Sequence, residues 1–393
     1  MKVLLVSPIP TDPAVAGNRV RIGALFTALV RLGHDVTFGY VPYYDEPADY
    51  DKLTQRLGSQ FRILHAAAPP FQSFAAKLQR KVKWKFRFKS AHSWRVDEWF
   101  DEGLVPQLRR LQARESFDCV LIEYVYLSKI ASVLPPPVRT IIDTHDLFGD
   151  RHIRSLDAGS GPYGFATTVT EETSALNRAD AVIAIQQEEA DYLRRTISPE
   201  VFTVGHLIDL DVSPLPDPGG TRMLFVGSSN PYNVQALEWF LDRVFPRIRR
   251  EIPDAELAIA GPVGRERTWP NGTSVLGAQE SLAAAYADAT VVINPALFGT
   301  GLAIKTIEAL SYGKPVVATP AGIRGLEGDF HGALLLAKTP DAFVEQVLEL
   351  LENGAARSAM SHQAIAASGE WQRRQLTMLN AAIVGQQPRP ATV

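Results

Sequence analysis

Short apolar segments that alternate with helical patterns are the feature of this sequence that most restricts its fold. Residues 3–6 form a continuous apolar run that ends in Ser7-Pro8, and residues 20–32 then place apolar side chains at helical spacing. An uninterrupted run of this kind is typical of a strand that is buried on both faces of a parallel sheet. The alternation predicts a doubly wound α/β domain. Its further strand patterns lie at residues 35–40, 117–122, 140–143 and 181–185.

The same order of elements begins again in the second half of the chain. An apolar strand at residues 223–227 is followed by a polar loop and a helical pattern, for which Asn233 is the expected N-cap. Residues 209–221 are dense in proline and glycine, so they are expected to form a linker. Two doubly wound halves are therefore predicted. The later strands of the second half are expected at 257–260, 273–276 and 290–294.

These patterns predict two Rossmann-like domains. The first covers residues 1–207 and the second covers residues 208–369, while a C-terminal helix at 370–390 is expected to pack back on the first. In doubly wound sheets, ligands bind beyond the carboxyl ends of the strands. Two such domains would place their ligand-binding edges on either side of a central cleft.

Composition limits the partners and the compartment. A chain of 393 residues is longer than one ordinary domain, and its formal net charge of −3 gives no general attraction to nucleic acid or to an anionic membrane. The single cysteine, Cys119, lies in an apolar run and is expected to be a buried thiol. The chain cannot form an internal disulfide, and it carries no apolar run of about 20 residues. The expected location is the cytoplasm.

The stretch at residues 296–322 contains the main candidates for ligand binding. A glycine-broken loop at 298–301 runs into a short helix, on which Lys305 and Glu308 share a face that the apolar residues leave free. Unpaired N–H groups at a helix N-terminus, together with a lysine, suit a diphosphate, and a nearby carboxylate can accept hydrogen bonds from sugar hydroxyls. The alternative is a solvated ion pair on the surface, which would have little energetic weight.

The motifs Gly299-Thr300-Gly301, Glu308-Ala309-Leu310 and Gly313-Lys314-Pro315, in this order of elements, resemble the retaining GT-B glycosyltransferases of family 4. The resemblance extends to Gly33-His34-Asp35-Val36 near the start of the chain and to residues 179–184. It implies a GT-B fold of two doubly wound domains that face a central cleft. It also implies an enzyme that transfers a sugar from a nucleoside diphosphate to a glycan, lipid-linked or small-molecule acceptor, with no metal and no cofactor.

The resemblance also implies roles for individual residues. Glu308 would bind the nucleotide ribose, and Lys305 would lie near the diphosphate. His145 and Asp146 are the candidate catalytic residues, since the family places a histidine close to the transferring sugar after this strand. A turn histidine and a capping aspartate are the alternatives for them, and Glu123 could face the acceptor or be simply polar. The remaining donor-binding candidates are Gly17, Asn18, Arg19, Ser228, Ser229, Asn230, Gly299, Thr300, Gly301 and Leu302.

Two departures from the family pattern bear on activity. Thr300 occupies the position of the first family glutamate, and residues 228–230 read Ser-Ser-Asn where many relatives carry an Arg and Lys pair. Lys305 is then left to neutralise the phosphates, with Arg19 or Arg324. The second hypothesis is a non-catalytic GT-B-like protein that binds a nucleotide sugar or a glycan. A sugar nucleotide epimerase or hydrolase is disfavoured, since no extra acid/base carboxylate pair is found in the relevant loops.

Residues 77–95 form a basic stretch, with eight Lys or Arg, no Asp or Glu, and the aromatic residues Trp84, Phe86, Phe88 and Trp94. Both a strand and a helix fit its spacing, and we favour a helix. The stretch could contact a membrane surface, bind an anionic acceptor or be a solvated face. No fold signal supports nucleic acid as a partner. A peripheral contact with the inner face of the membrane therefore stays open for a cytoplasmic protein.

Overall fold

The computed structural model describes residues 1–14, 16–43, 48–64, 75, 78, 81–82, 92–157, 164–208, 215–264, 268–279, 281–298 and 301–386. The chain divides into two compact units. The first unit comprises Met1–Pro13, Asn18–Gly205 and Leu376–Val393, and the second comprises Ala14–Gly17 and His206–Gln375.

The first unit is built on a seven-stranded sheet in which every pairing is parallel. The strands are β1 (Lys2–Ser7), β2 (Asp35–Tyr40), β3 (Phe61–Ile63), β4 (Cys119–Glu123), β5 (Arg139–Asp143), β6 (Ala181–Ala184) and β7 (Glu200–Thr203). Their order in the sheet is β3-β2-β1-β4-β5-β6-β7, so the chain winds outward from β1 in both directions. The central strand β4 is buried at all five positions, as its apolar sequence predicts.

Helices connect these strands, as parallel pairing requires. The first helix, α1 (Gly17–Arg31), follows β1 and buries Ile22, Leu25 and Leu29 at helical spacing. Cys119 is buried in β4, which confirms the expected buried thiol, and burial raises its pKa to about 12. The helices are α1 (Gly17–Arg31), α2 (Tyr50–Leu57), α3 (Leu104–Glu115), α4 (Lys129–Val133), α5 (Arg151–Asp157), α6 (Val169–Leu176) and α7 (Gln187–Thr196).

The second unit repeats the plan with a sheet of six parallel strands. The strands are β8 (Arg222–Val226), β9 (Glu256–Ala260), β10 (Thr273–Gly277), β11 (Val291–Asn294), β12 (Val316–Ala318) and β13 (Leu334–Leu336). Their order in the sheet is β10-β9-β8-β11-β12-β13. One apolar cluster against the sheet contains Phe240 and Phe343, and another contains Tyr286 and Trp371. The sheet is therefore buried on both sides, as a doubly wound sheet must be.

The helix after β8 begins at Pro231, not at Asn233. The Asn230 side chain accepts a hydrogen bond from the Asn233 N–H and is the N-cap, so the predicted cap at Asn233 was wrong. Proline suits the first helical position, where the N–H it lacks would have no partner. The helices of this part of the chain are α8 (Pro231–Arg243), α9 (Phe245–Glu251), α10 (Ala283–Ala287), α11 (Ile304–Ser311), α12 (Pro340–Glu352) and α13 (Gly354–Val384).

Helix α13 runs without a break from the second unit into the first, changing units after Gln375. Within the second unit, the Trp371 indole donates to the His206 carbonyl at 2.8 Å. Within the first unit, the Arg139 guanidinium donates to the Ala382 carbonyl at 2.8 Å. In the part of the chain that the structure describes, no helix is both long and apolar enough to cross a membrane.

Candidate functional site

The loop after β8 is held by its own side chains. The Asn233 amide donates to the Ser228 carbonyl and hydroxyl oxygens at 3.0 and 3.1 Å, and Asn230 also donates to that hydroxyl at 3.1 Å. A Cβ on Gly227 would lie 2.9 Å from the Phe225 ring, so only glycine fits here. Ser228 and Asn230 thus shape the loop, while Ser229 is exposed.

Lys305 in α11 faces this loop. Its ammonium donates to the Asn233 amide oxygen at 2.7 Å and lies 4.7 Å from the centroid of the Phe225 ring. Among the described residues, no carboxylate lies within 4 Å of this ammonium. Burial lowers the pKa of Lys305 to about 8. A positive group that is held in place without a counter-ion is suited to an incoming anion.

Glu308 lies one turn further along α11 and has a different partner. The Tyr286 hydroxyl donates to one of its carboxylate oxygens at 3.0 Å. The Tyr286 ring stacks on the Tyr312 ring, with the two ring centroids 4.7 Å apart. Burial raises the pKa of Glu308, and the hydrogen bond from Tyr286 opposes that rise. Lys305 and Glu308 share a helix face as predicted, but each is held separately by a polar partner from another element. The alternative of an ion pair between these two side chains is therefore not what the structure shows.

The glycine loop before α11 is only partly described. Gly299 and Thr300 lie outside the described residues; Gly301 has a φ of +85°, a conformation that favours glycine, and Leu302 is half-buried. The buried Asn294 amide donates to the Thr306 hydroxyl at 2.9 Å and to the Gly322 carbonyl at 3.0 Å, which ties α11 to the loop after β12.

Lys314 has a structural role. Its side chain is buried, and its ammonium donates to the carbonyls of Pro216, Ala287 and Ala289 at 3.1, 3.4 and 3.1 Å. Those oxygens take up all three of its donors, so Lys314 is not available to a ligand.

In the first unit, a buried cluster lies where β4 and β5 end. Glu123 and Asp143 are paired at the ends of these strands, and both side chains are fully buried. The Arg21 guanidinium from α1 donates to both Asp143 oxygens at 2.8 and 2.9 Å. It also donates to the carbonyls of Gly205 and Val204 at 2.7 and 2.9 Å. Burial alone would raise the pKa of Asp143, but the Arg21 charge and its hydrogen bonds lower it below the usual value.

His145 completes this cluster. Its Nε2 contacts the Glu123 carboxylate and lies 3.6 Å from an Asp143 oxygen, while its ring stacks on Tyr124 with centroids 4.0 Å apart. Glu123, His145 and Asp143 offer three possible metal ligands. The positive guanidinium of Arg21, which bonds both Asp143 oxygens, would repel a cation at this position. The charges of these residues therefore favour a hydrogen-bonded cluster over a metal centre.

Asp146 accepts from the Leu147 N–H at 2.9 Å and lies 3.6 Å from Arg151. Hydrogen bonds from two other side chains hold the loop that follows Asp146. The buried Glu172 accepts from the Phe148 and Gly149 N–H groups at 2.7 and 2.8 Å, and Arg154 donates to the Gly149 carbonyl at 2.6 Å. These contacts fix the segment that carries His145 and Asp146.

The candidates near the start of α1 have different surroundings. Gly17 is exposed, and the Asn18 amide donates to the Tyr124 hydroxyl at 3.1 Å. The Arg19 side chain is buried and donates to the carbonyls of Asp12 and Pro13 at 3.4 and 3.3 Å. Asn18 therefore joins the first-unit cluster through Tyr124, and Arg19 holds the loop before α1.

Sequence patterns did not indicate several partners of the site. Asn233 holds Lys305, and Tyr286 holds Glu308. Asn294 holds the loop after β12, and Arg21 holds Asp143. Arg21 and Asp143 lie 122 positions apart, so no local spacing could pair them. Arg21 is next to the buried Ile22 and four positions before the buried Leu25, and this position beside the apolar face of α1 was the available signal.

Comparison with known proteins finds two matching families. Residues 16–204 match the family described as "Glycosyl transferase 4-like domain", and residues 220–353 match the family described as "Glycosyl transferases group 1". The fold and these matches define a glycosyltransferase with two Rossmann-like domains of the GT-B type. The two matches together confirm the resemblance to the group 1 glycosyltransferases of family 4.

Individual relatives are distant. A Klebsiella pneumoniae protein, described as an uncharacterized 44.6 kDa protein in the cps region, is 28% identical over 389 residues, covering 90% of this chain and 91% of its own. The crystal structure of Anabaena HepE in complex with UDP is similar with a TM-score of 0.65 at 14% identity, over 98% of this chain and 99% of that one. Sucrose-phosphate synthase from Thermosynechococcus elongatus has a TM-score of 0.62 at 16% identity, over 98% and 97% of the two chains.

Proposed function

We propose that this glycosyltransferase uses a nucleoside diphosphate sugar as donor, retains the anomeric configuration and needs no metal. The observation that carries the proposal is Lys305, a half-buried ammonium held by Asn233 with no carboxylate near it in the described part of the second unit. A diphosphate would supply the missing negative charge. HepE has been crystallised with UDP and with UDP-glucose, which supports a nucleotide sugar as the donor class here.

In this proposal the residues act by charge and position. Glu308, oriented by Tyr286, accepts hydrogen bonds from the ribose hydroxyls, and Lys305 stabilises the diphosphate as it departs. The acceptor hydroxyl then attacks the anomeric carbon on the face that the diphosphate leaves, and its proton passes to the departing phosphate oxygen. We propose that His145 contacts the transferred sugar, with Asp146 next to it. Catalysis would come mainly from orientation and electrostatic stabilisation.

A panel of labelled nucleotide sugars tests the reaction. The enzyme is expected to transfer sugar to an acceptor, or to release it slowly as free sugar when no acceptor is present. A non-catalytic binding protein would hold the nucleotide sugar without releasing either product. That outcome would refute the proposed transferase reaction while leaving the nucleotide site in place.

The hydroxyl of Tyr286 is expected to matter for donor binding. Tyr286→Phe removes the hydrogen bond that orients Glu308 and favours its charged form, so we expect UDP affinity to fall roughly 5- to 10-fold at neutral pH. Isothermal titration calorimetry checks this, with Tyr192→Phe in α7 as a control. Equal affinity of Tyr286→Phe and the unaltered enzyme would show that this hydrogen bond does not orient Glu308.

We also propose that the basic stretch brings the enzyme to an anionic membrane surface. Most of residues 77–95 lie outside the described residues, but Leu78 and Val82 are about half exposed, at 52% and 49%, and Lys81 beside them is exposed. Exposed apolar and basic side chains that lie close together in the sequence are typical of a membrane-surface contact. Nothing in these residues selects a lipid-linked acceptor over another acceptor.

Co-sedimentation with vesicles tests this contact. The enzyme is expected to bind vesicles that contain phosphatidylserine and to dissociate as salt is raised, because the attraction is electrostatic. Replacing both Lys81 and Lys83 by Glu is expected to weaken vesicle binding by at least about 30-fold, because each lysine near the surface contributes roughly 1 kcal/mol and the two glutamates add repulsion. No binding at low salt would leave an anionic acceptor or a solvated face as the role of the stretch.

A further inference from the structure

Glu123 faces the protein interior rather than an acceptor. It is the last residue of β4, its side chain is fully buried, and its Oε2 contacts the Nε2 of His145. Its second oxygen, Oε1, has no hydrogen-bond partner among the described residues. A buried carboxylate needs a cation or a proton. Among the residues that the structure describes, the cationic or protonatable group that Glu123 contacts directly is the His145 ring.

The backbone is strained where this pair is formed. Tyr124 and His145 follow the ends of β4 and β5, and they adopt φ angles of +71° and +58°. Such angles are uncommon for any residue except glycine, and they concentrate at functional sites where the surrounding structure enforces them. Here they place the Tyr124 and His145 rings parallel, at an interplanar angle of 9°, while Asn18 holds the Tyr124 hydroxyl.

The surrounding charges leave one proton for the pair. Asp143 and Arg21 form a buried ion pair whose charges cancel, and the charges of Glu123 and, more weakly, Glu189 also act on Arg21. With Glu123 and His145 added, the cluster is neutral when the pair holds one proton beyond the single N–H of a neutral imidazole. That proton lies either on the Glu123 carboxylate or on the second nitrogen of the His145 ring. Loss of that proton leaves an uncompensated buried negative charge, which is unfavourable.

We propose that Glu123 is a positioning residue for His145: it holds the ring through Nε2 and shares one proton with it, so that Nδ1 is left for the substrate. Nδ1 forms no hydrogen bond with any described residue. When the pair holds its proton on the ring, Nδ1 presents an N–H to a sugar oxygen. When the pair has lost it, Nε2 keeps its hydrogen toward Glu123 and Nδ1 presents a lone pair.

The Glu123–His145 pair changes between these two protonation states within the physiological pH range. Burial and the Asp143 charge raise the pKa of Glu123 to about 7, and the contact with His145 opposes the rise. Because the two groups are in contact, the proton leaves in one step that belongs to the pair. The use of Nδ1 in catalysis rests on the proposed function, whereas the sharing of the proton does not.

Nitrogen-15 NMR of the whole chain, labelled at histidine, tests the sharing. The His145 ring signals are assigned by their absence in His145→Asn and followed from pH 5.5 to 8.5. We expect Nε2 to carry hydrogen throughout in the unaltered protein, with a step near pH 7. In Glu123→Gln the negative partner is gone, so the step is expected to move to lower pH by about one unit or more.

A second buried carboxylate supplies the matched control. Glu172 also has a pKa raised to about 7 by burial, but it bonds the Phe148 and Gly149 N–H groups rather than His145. Glu172→Gln should therefore leave the His145 step in place. If Glu123→Gln does not fold, the tautomer of the His145 ring in the unaltered protein still tests the proposal. A hydrogen on Nδ1 alone at pH 8.5 would overturn it. An unmoved step in a folded Glu123→Gln would overturn it as well.

Turnover separates this inference from the proposed function. If the enzyme is active, Glu123→Gln should shift the pH profile of kcat by the same amount as the NMR step and leave KM for the donor within about twofold. An unshifted kcat profile in an active enzyme would overturn the catalytic use of Nδ1. An enzyme that turns over no nucleotide sugar would refute the proposed function, and the NMR result would still decide whether the proton is shared.

Discussion

Replacement of Glu308 by alanine is expected to weaken the binding of the nucleoside diphosphate by about 100-fold, measured by calorimetry. In the proposed complex the carboxylate accepts hydrogen bonds from two ribose hydroxyls, and hydrogen bonds to a charged group contribute about 1.5–3 kcal/mol each. A loss of about 2.7 kcal/mol corresponds to the 100-fold change. Since Glu308 forms no salt bridge within the described residues, the fold should remain intact by circular dichroism.

Glu345→Ala is the matched control, because Glu345 is an exposed glutamate on α12 of the same unit. It should bind UDP as the unaltered protein does. Unchanged affinity in Glu308→Ala, with the control behaving as expected, would exclude the ribose contact. The proposed orientation of the donor would then be wrong.

Lys305→Met is expected to weaken UDP binding roughly 30- to 100-fold at pH 7 while changing uridine binding less than about twofold, because the ammonium meets the phosphates only. The two ligands separate the phosphate contact from the ribose contact. Lys338→Met, which removes an exposed lysine from the same unit, should bind both ligands normally. Equal losses for UDP and uridine would indicate a structural role for Lys305.

The lowered pKa of Lys305, about 8, adds a pH dependence with a defined sign. The free lysine loses its proton as pH rises through 8, whereas a bound diphosphate holds the proton on it. UDP affinity should therefore fall above pH 8, and binding at pH 8 should take up about half a proton from the buffer. Calorimetry in two buffers of different ionisation enthalpy measures this uptake, which Lys305→Met should abolish. Equal apparent enthalpies in the two buffers would contradict the contact with the phosphates.

The sequence was sufficient to predict the central strands, because their apolar runs are buried on both faces. It did not reveal β3, β7 or β13, which have three or four residues each and lie at the edges of their sheets. They are too short for hydrophobic periodicity to identify, and the apolar run Leu334-Leu335-Leu336 fits a strand or a helix equally well. The N-cap was placed three residues late because Asn230 and Asn233 are equally good caps by composition, and Pro231 decides between them.

For the site, helical spacing predicted that Lys305 and Glu308 share a face, but it could not predict what holds each of them. Asn233 and Tyr286 come from other helices, 72 and 22 positions away in the chain. The same limit applies to Glu123, whose contact with His145 depends on the pairing of β4 with β5 and on two unusual backbone angles. Such contacts arise from tertiary structure, so local sequence patterns do not predict them.

The most direct measurement is a crystal structure of the protein soaked with UDP. The account predicts that a Glu308 oxygen lies within hydrogen-bond distance of a ribose hydroxyl and that the Lys305 ammonium lies within about 4 Å of a phosphate oxygen. The loop at residues 228–233 would border the same nucleotide. A nucleotide bound elsewhere, with Glu308 still held only by Tyr286 and Lys305 only by Asn233, would contradict the assignment of the donor site.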